Sequence, residues 1–486
     1  CPRHRTSLTQ QTAANRVEAM SLRVRPYILG VVGFALMLWN IGVPSLWQDE
    51  AATIGAANRP IDSLWKLVQN IDAVHGLYYA FMHFWGSLFG FSPFALRVPS
   101  AFFVGLSAFL LFHLALKLRL STNAATWASV VFIAMPRTHL AGSEARSNAL
   151  TATLAIALIL VLVWALEGDR NWLRWFAFTG VLSLSIYTFL FSALILVPIG
   201  IYLVASHRGQ FMKFSVATMG AIVLSAPVII FGYQERGQVG WIYAKPLTEY
   251  LWESLVAVDY NRAWPMAVLG LGLCILAIVR KASLLVVLWA TVPSALLIAV
   301  SLCFEPYFVD HYLTFTTGAT ALLIAIGLTK LPIRPLRWIV LAALVALSLP
   351  SYFQSREPMA KGTEWARVAA AVNDNSSRGD GLLLPDATSK ANRAIDLMIV
   401  AYEPEFKGRI DLTLMTKPAD SNRLFGIRSK VLNTMEPASN KVLVLSDPQL
   451  GEPSKTSLPA WLNDKFSAKR ALKFETTQIT IFERIK

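Results

Sequence analysis

The 486 residues are 55% hydrophobic and only 15% charged, with a mean hydropathy of +0.49, a composition too apolar for a soluble chain of this length. The net charge of +14 does not point to nucleic acid, because the basic residues sit in short clusters between apolar runs, where the positive-inside bias puts them. Three cysteines, of which Cys274 and Cys303 lie inside apolar runs and Cys1 is terminal, leave neither a disulfide framework nor a CxxC metal site.

Residues 1–19 are polar, basic and without apolar periodicity, and read as an extension upstream of a more natural start at Met20-Ser-Leu-Arg. They belong to a basic cytoplasmic tail over 1–26. The first apolar run is long enough to span and no small-residue cleavage site follows it, so a cleaved signal peptide is not expected. A ruler of roughly 20 apolar residues then places spans at 27–45, 94–116, 122–136, 145–166, 171–188, 189–206, 211–233, 264–279, 282–303, 312–330 and 335–353, about eleven in all. The run 122–136 is short, and two spans meet in a tight turn at Tyr187-Thr188.

Arg23 and Arg25, Lys117 and Arg119, Arg170 and Arg174, Arg208 and Lys213, Arg280 and Lys281, and Lys330, Arg334 and Arg337 all fall on one side of these spans, which is therefore cytoplasmic. The opposite face receives residues 46–93, the loop 137–144, residues 234–263, residues 305–311 and everything after about Arg356. The chain thus reads as an α-helical polytopic membrane domain over 27–355 followed by an extracytoplasmic α/β domain over 356–486.

The outer segment 46–93 is patterned. Ile61, Leu64, Trp65 and Val68, and then Leu77, Phe81, Phe84, Trp85 and Leu88, recur at helical spacing, as in short amphipathic helices on a membrane face. The same pattern serves helices with structural roles only. From Arg356 charge rises and strand-like pieces (Gly381 to Pro385, Lys441 to Ser446, Gln478 to Phe482) alternate with helical ones (Trp365 to Val372, Lys390 to Tyr402). This domain is large enough for its own core, and with no Gly-rich phosphate loop and no nucleophile elbow it reads as a binding or docking domain.

Ionisable groups are almost absent within the spans, whereas transporters place some at mid-membrane. They gather at the outer ends of helices: Asp49, Glu50, Asp72, His75, Arg137, His139, Glu144, Arg146, Glu235, Arg236, Lys245, Glu305, Asp310 and His311. Such a set suits a substrate with its tail in the bilayer and its head in water. Transfer from a lipid phosphate needs a carboxylate to take the acceptor's proton and cations to hold the leaving phosphate. Asp49 or Glu50 can do the first, and Arg146, Arg236, His75 and His311 are candidates for the second.

The order Trp47-Gln-Asp-Glu-Ala51, Asp72-Ala-Val-His75-Gly-Leu-Tyr78-Tyr79, Arg97-Val-Pro-Ser100 and Glu144-Ala-Arg146-Ser-Asn148-Ala-Leu resembles the membrane glycosyltransferases of the GT-C superfamily, near the protein O-mannosyltransferase and aminoarabinose transferase branch. Those enzymes show an acid in the first outer loop, an H-P-P-L-Y-Y-like stretch, an R-x-P-S start to the second span and E-x-R-x-Y-A-L at the fourth. Gly76 stands where a proline is usual and Asn148 where Tyr is. Asp310-His311-Tyr312-Leu313 is similar to the R-Y-L that opens a late span, with His311, charged only part of the time near neutral pH, in place of a permanently charged Arg. The likeness is good over 27–206, looser to 330, and says little about the C-terminal domain.

The resemblance implies a GT-C fold, Asp49 as general base with Glu50 beside it, a polyprenyl-phosphate-linked sugar donor, and inversion at the anomeric carbon. The Asp72 to Tyr79 wording is similar to envelope mannosyl- and arabinosyltransferases of mycolic-acid bacteria, which makes mannose the first expectation and arabinofuranose the second, with an envelope glycan or glycolipid as acceptor at the outer face of the cytoplasmic membrane. Donor contacts are expected from His75, Tyr78, Tyr79, Glu144, Arg146, Arg236, Gln238, Trp241 and His311. Each has an ordinary reading: Asp49 caps a helix beginning at Ala51, Glu144 or Asp49 pairs with Arg146, the two tyrosines belong to an interfacial belt, and Gln234 to Trp241 is a polar turn. A divalent metal among Asp49, Glu50, Asp72 and His75 is open, though no spacing fixes it and no HExxH is present. A lipid-linked-sugar flippase and an inactive scaffold are the rival classes.

Overall fold

A computed structural model describes residues 23–168, 172–384, 390–446 and 458–485. Most of the expected cytoplasmic tail, Arg170 of an expected inner loop and Pro385 at the end of an expected strand lie outside the described residues. The chain divides into two compact units, one formed by Cys1–Ile41 with Arg97–Ser355 and the other by Gly42–Leu96 with Arg356–Lys486.

The first unit is α-helical, and helices stand at each position where a span was expected. Five among the described residues are long and apolar enough to cross a membrane: Pro93–Lys117, Asn148–Leu166, Leu284–Cys303, Asp310–Lys330 and Arg334–Gln354, with a sixth if the pair Arg208–Leu224 and Ala226–Gln234, bent by 59°, is one broken span. Local chemistry accounts for the interrupted ones. Thr122–Ala134 stops because Met135 precedes Pro136 and is driven to an extended backbone (φ −67°, ψ 132°). The bend between Phe211–Leu224 and Ala226–Gln234 falls at Ser225, two residues before Pro227, whose ring removes a helical donor. The turn expected at Tyr187-Thr188 lies one residue on, at extended Phe189, after which a 3-10 segment Leu190–Ile195 leads into Leu196–Ser206.

Thr317–Lys330 is the central helix of this unit, with every residue from Thr317 to Leu328 buried. It packs against Thr122–Ala134, Trp264–Val279 and Leu284–Cys303. Without a hydrophobic drive between helices in lipid, close approach through small residues has to hold them. A Cβ on Gly327 would come within 2.2 Å of the Leu273 carbonyl oxygen, and one on Gly105 within 2.5 Å of the Gly30 carbonyl oxygen. Hydroxyls add glue: Ser107 Oγ meets Thr153 Oγ1 at 2.8 Å and Ser129 Oγ donates to the Ala108 carbonyl at 2.8 Å.

In the second unit the segment before the first long helix carries three helices, Gln48–Ala57, Ile61–Val68 and Gly76–Phe89. Leu64, Leu67, Tyr78, Tyr79 and Met82 are buried, while Ile61, Trp65, Phe84 and Leu88 stay exposed, so the helical spacing holds and an apolar face is left outward. The remainder combines the helices Trp365–Asn375 and Lys390–Ala401 with a five-stranded mixed sheet. Its strands are β1 (Gly381–Leu383), β2 (Ile410–Asp411), β5 (Lys441–Ser446), β6 (Phe466–Lys473) and β7 (Gln478–Arg484), in the order β2-β1-β5-β7-β6, with β3 (Leu414–Thr416) and β4 (Ile427–Arg428) pairing separately. β1 runs parallel to β2 and β5, and β7 antiparallel to β5 and β6. Five consecutive residues of β5 are buried, as expected of an apolar strand in mid-sheet. The edge strand β6 carries exposed Lys469 and Arg470, a composition that protects an edge and hides the strand from an apolar-run search.

Because backbone cannot give way as a side-chain tip can, Gly327→Ala should lower the detergent-solubilised thermal midpoint, by an overpacking cost of about 1–3 kcal/mol. An unchanged midpoint would show that the two helices separate freely at that point.

Candidate functional site

In the second unit Gln48–Ala57 starts three residues earlier than expected, with Trp47 at the N-cap in an extended conformation and no side-chain capping bond. Asp49 therefore does not cap a helix beginning at Ala51. Asp49 and Glu50 both lie in the first turn, where unsatisfied N–H groups and the positive end of the macrodipole favour carboxylates. Asp49 is half-buried and Glu50 fully buried, so Asp49 is the more exposed of the two acids. Its backbone carbonyl accepts from Thr53 Oγ1 at 3.1 Å.

Nearby in sequence, Asp72 adopts a left-handed backbone (φ 58°), a conformation uncommon for a residue other than glycine and tolerated best by Asn and Asp. Tyr79 Oη donates to Asp72 Oδ2 at 2.9 Å, and the His75 ring lies 5.9 Å from that of Tyr79. This brings Asp72, His75 and Tyr79 together on one turn. Gln48–Ala57 packs on Gly76–Phe89, and His83 Nδ1 is 2.9 Å from the Ala57 carbonyl oxygen. Tyr78 and Tyr79 are 1% and 0% exposed, which removes both from an interfacial belt.

In the first unit the R-x-P-S stretch is structural. Arg97, fully buried, donates from Nη1 to the Ile41 carbonyl at 2.8 Å. Ser100 Oγ donates to the Glu144 carbonyl at 2.5 Å and lies 3.5 Å from that of Arg146, so it holds the turn that enters Asn148–Leu166. Glu144 and Arg146 are half-buried on that turn, with Ala145 buried between them.

Arg137 is the centre of a buried polar knot. Its Nε and Nη2 donate to the Val258 and Ala257 carbonyls at 2.6 and 2.9 Å, and Nη2 also meets Asp310 Oδ2 at 2.9 Å. His311 Nδ1 lies 3.3 Å from Asp310 Oδ1, so His311 is tied to this knot and half-exposed. Asp259 accepts from Thr320 Oγ1 at 2.6 Å. Burial pushes the Asp259 carboxyl up, against the hydrogen bond of Thr320 and the charge of Arg137.

The segment from Tyr233 to Glu253 is more open. Arg236 is exposed, stacks 4.4 Å from the centre of the Tyr233 ring and donates to the Tyr233 carbonyl. Gln238 Nε2 donates to Glu235 at 3.2 Å, and Trp241 is exposed. Lys245 instead bonds both Glu253 oxygens at 2.7 and 2.8 Å. Burial would lower its pKa, but Glu253 raises it on balance, so Lys245 is spent on an ion pair. Among the described residues no group of three or more His, Cys, Asp or Glu is placed to hold a metal ion.

ArnT from Cupriavidus metallidurans, solved bound to undecaprenyl phosphate and in the apo state, matches this structure with a TM-score of 0.58 at 11% identity, over 94% of this chain and 97% of its own. The arabinofuranosyltransferase AftD from Mycobacteria matches with a TM-score of 0.51 at 14% identity, over 94% of this chain and 40% of its own. The fold is that of the GT-C glycosyltransferases. No family model and no curated protein matches by sequence, so the likeness is carried by architecture.

Within the GT-C fold the motif residues divide by what they touch. Arg97 and Ser100 build the scaffold, whereas Asp49, Asp72 and His75 share one unit and Arg146, Arg236 and His311 the other. Asp259 and its bond to Thr320 gave no signal in the sequence, because a lone Asp in a loop has no motif and its partner is 61 positions away.

Arg137, whose side chain is 5% exposed and pairs with a carboxylate 19% exposed, should not tolerate truncation. Breaking a buried pair from one side costs about 3–5 kcal/mol, so Arg137→Ala should lower the thermal midpoint sharply. Arg137→Lys should recover only part of it, because an ammonium cannot reproduce the fork onto two carbonyls. Equal midpoints for Lys and the parent would contradict this.

Proposed function

We propose that this chain is an inverting glycosyltransferase that moves a sugar from a polyprenyl-phosphate donor to an envelope glycan or glycolipid at the outer face of the cytoplasmic membrane. Its tail is cytoplasmic and residues after about 356 are outside, as the basic loops require. Mannose is the first donor sugar and arabinofuranose the second. The observation that carries the reading is Asp49, a half-buried carboxylate in the first turn of Gln48–Ala57, in a chain with the GT-C fold. That ArnT was solved with undecaprenyl phosphate supports a lipid-phosphate donor, and AftD being an arabinofuranosyltransferase keeps arabinofuranose in play.

In this mechanism Asp49 takes the proton of the acceptor hydroxyl as its oxygen attacks the anomeric carbon. The bond from that carbon to the phosphate oxygen breaks, and the phosphate leaves with the electron pair. Cations meet the growing charge. Arg146 is the strongest of them, because it stands two residues before the N-terminus of Asn148–Leu166, where the helix itself favours an anion. His75, Arg236 and His311 assist, His311 only when protonated. Glu144, Tyr78, Tyr79, Gln238 and Trp241 belong to the donor-binding surroundings, with Tyr79 acting through Asp72 and exposed Trp241 offering a face to the sugar. Glu50 supports Asp49 from the same turn.

Asp49→Asn should cut transfer from polyprenyl-phosphoryl mannose or arabinofuranose by about 10²- to 10⁴-fold, with extraction and thermal midpoint unchanged. Glu50→Gln is the companion variant. Full transfer by the Asn variant sinks the assignment, and full transfer there with loss in Glu50→Gln moves the role to Glu50.

A further inference from the structure

Ser45 and Leu46 are 2% and 0% exposed and lie just before Trp47, the N-cap of the helix that carries Asp49. Four polar groups of this dipeptide have partners from far down the chain. Ser45 N–H donates to the Pro358 carbonyl at 2.8 Å, and Ser45 Oγ accepts from Ala366 N–H at 3.2 Å. Leu46 N–H donates to Tyr402 Oη at 2.9 Å, and the Leu46 carbonyl accepts from Thr363 Oγ1 at 2.9 Å. Tyr402 Oη also lies 3.4 Å from Ser45 Oγ.

The far end of the same helix is fastened too. Arg59 donates from Nε to the Gly55 carbonyl at 2.8 Å and from Nη2 to the Arg423 carbonyl at 3.2 Å. Gly55 lies against Val400, so that a Cβ there would meet Val400 Cγ1 at 3.3 Å. Tyr402 directly follows the helix Lys390–Ala401, which packs along Gln48–Ala57. That helix is itself anchored: Asp396 bonds Arg428 Nη2 at 2.6 Å, and Arg428 Nη1 also bonds Asp411. Burial works against the Arg428 charge, but Asp411 and Asp396 together raise its pKa.

We propose that Tyr402 is a positioning residue whose hydroxyl, by accepting from the Leu46 N–H, sets where the Asp49 carboxylate stands. The inference rests on reading Asp49 as the general base. A buried backbone N–H must keep an acceptor. With the hydroxyl gone, the Leu46 amide regains one only if the segment shifts, and Asp49 is three residues away on the helix that starts there. Misplacing a reacting group by about 1 Å costs on the order of a hundredfold in rate, so a small shift has a large kinetic reading and a small structural one. Thr363, which holds the Leu46 carbonyl, is the second hand on the same peptide.

The test uses the full-length protein in detergent with lipid, and polyprenyl-phosphoryl mannose and polyprenyl-phosphoryl arabinofuranose as probes with an envelope-glycan extract as acceptor. Tyr402→Phe keeps the ring in its packing site. It should lower kcat about tenfold or more, with KM for the donor and the thermal midpoint close to the parent. Thr363→Val should move kcat in the same direction, and it carries the test if the Phe variant fails to fold. An unchanged kcat in either folded variant overturns the proposal, as does a loss that disappears once activity is scaled to the folded fraction. Asp49→Asn is run alongside. If it is fully active the base assignment falls; if it is inactive while Tyr402→Phe turns over like the parent, only the positioning role falls.

Discussion

A charge placed in hydrocarbon is costly unless it is paired or reaches the interface, and the first unit is built around that constraint. The helix Thr317–Lys330, buried on all sides, carries threonines and no charge until its last residue. The polar groups that serve the unit are pushed to the ends of its helices. Arg137, Asp259, Asp310 and His311 meet there, and a single guanidinium satisfies two backbone carbonyls and a carboxylate. An arginine so deeply engaged is not available to a substrate phosphate. Arg146, just before a helix N-terminus, and Arg236, on an exposed loop, stand at looser turns than this one.

How much of this was legible in the sequence depended on how far apart the interacting residues are. Apolar runs located the helices, since each needs only its own composition. The breaks at Met135-Pro136 and Ser225 to Pro227 carry a local signal in proline, but a hydropathy ruler averages over it and counts continuous spans. The start of the acidic helix moved from Ala51 to Gln48 because Asp49 and Glu50 are well placed in a first turn as well as at a cap, and periodicity cannot separate the two. β6 went unseen because an edge strand protected by lysine and arginine has the composition of a loop. The pairs Arg137 with Asp310 and Asp259 with Thr320 join residues 173 and 61 positions apart, and nothing in one sequence announces them.

The motifs sort in the same way. Arg97 and Ser100 were recognisable as a family-like word, yet the structure spends them on the Ile41 carbonyl and on the turn at Glu144 and Arg146. Ser100 fixes the backbone from which Arg146 projects, while Arg97 holds the Ile41 carbonyl. Asp72 shows the reverse. It entered the sequence reading as one more acid, and its left-handed backbone and bond to Tyr79 single it out as a residue held in an uncommon conformation, the kind of feature that clusters at functional sites.

The second unit raises the question of why a polar clamp, rather than apolar packing, secures the helix bearing Asp49. Apolar contacts are non-directional and lose little when two surfaces slide by a fraction of an ångström. A hydrogen bond to a peptide N–H weakens steeply with angle and distance. On the proposed reading of Asp49 as general base, its carboxylate must stand within hydrogen-bond reach of the proton it removes, a tolerance that Val400 against Gly55 alone would not impose. Binding Leu46 on both sides, through Tyr402 at its N–H and Thr363 at its carbonyl, fixes one peptide plane in space three residues before Asp49. The buried ionic set of Asp396, Arg428 and Asp411 adds little net stability by itself once desolvation is counted. Its directional bonds hold the helix that ends just before Tyr402, and so carry the same precision one step further into the domain.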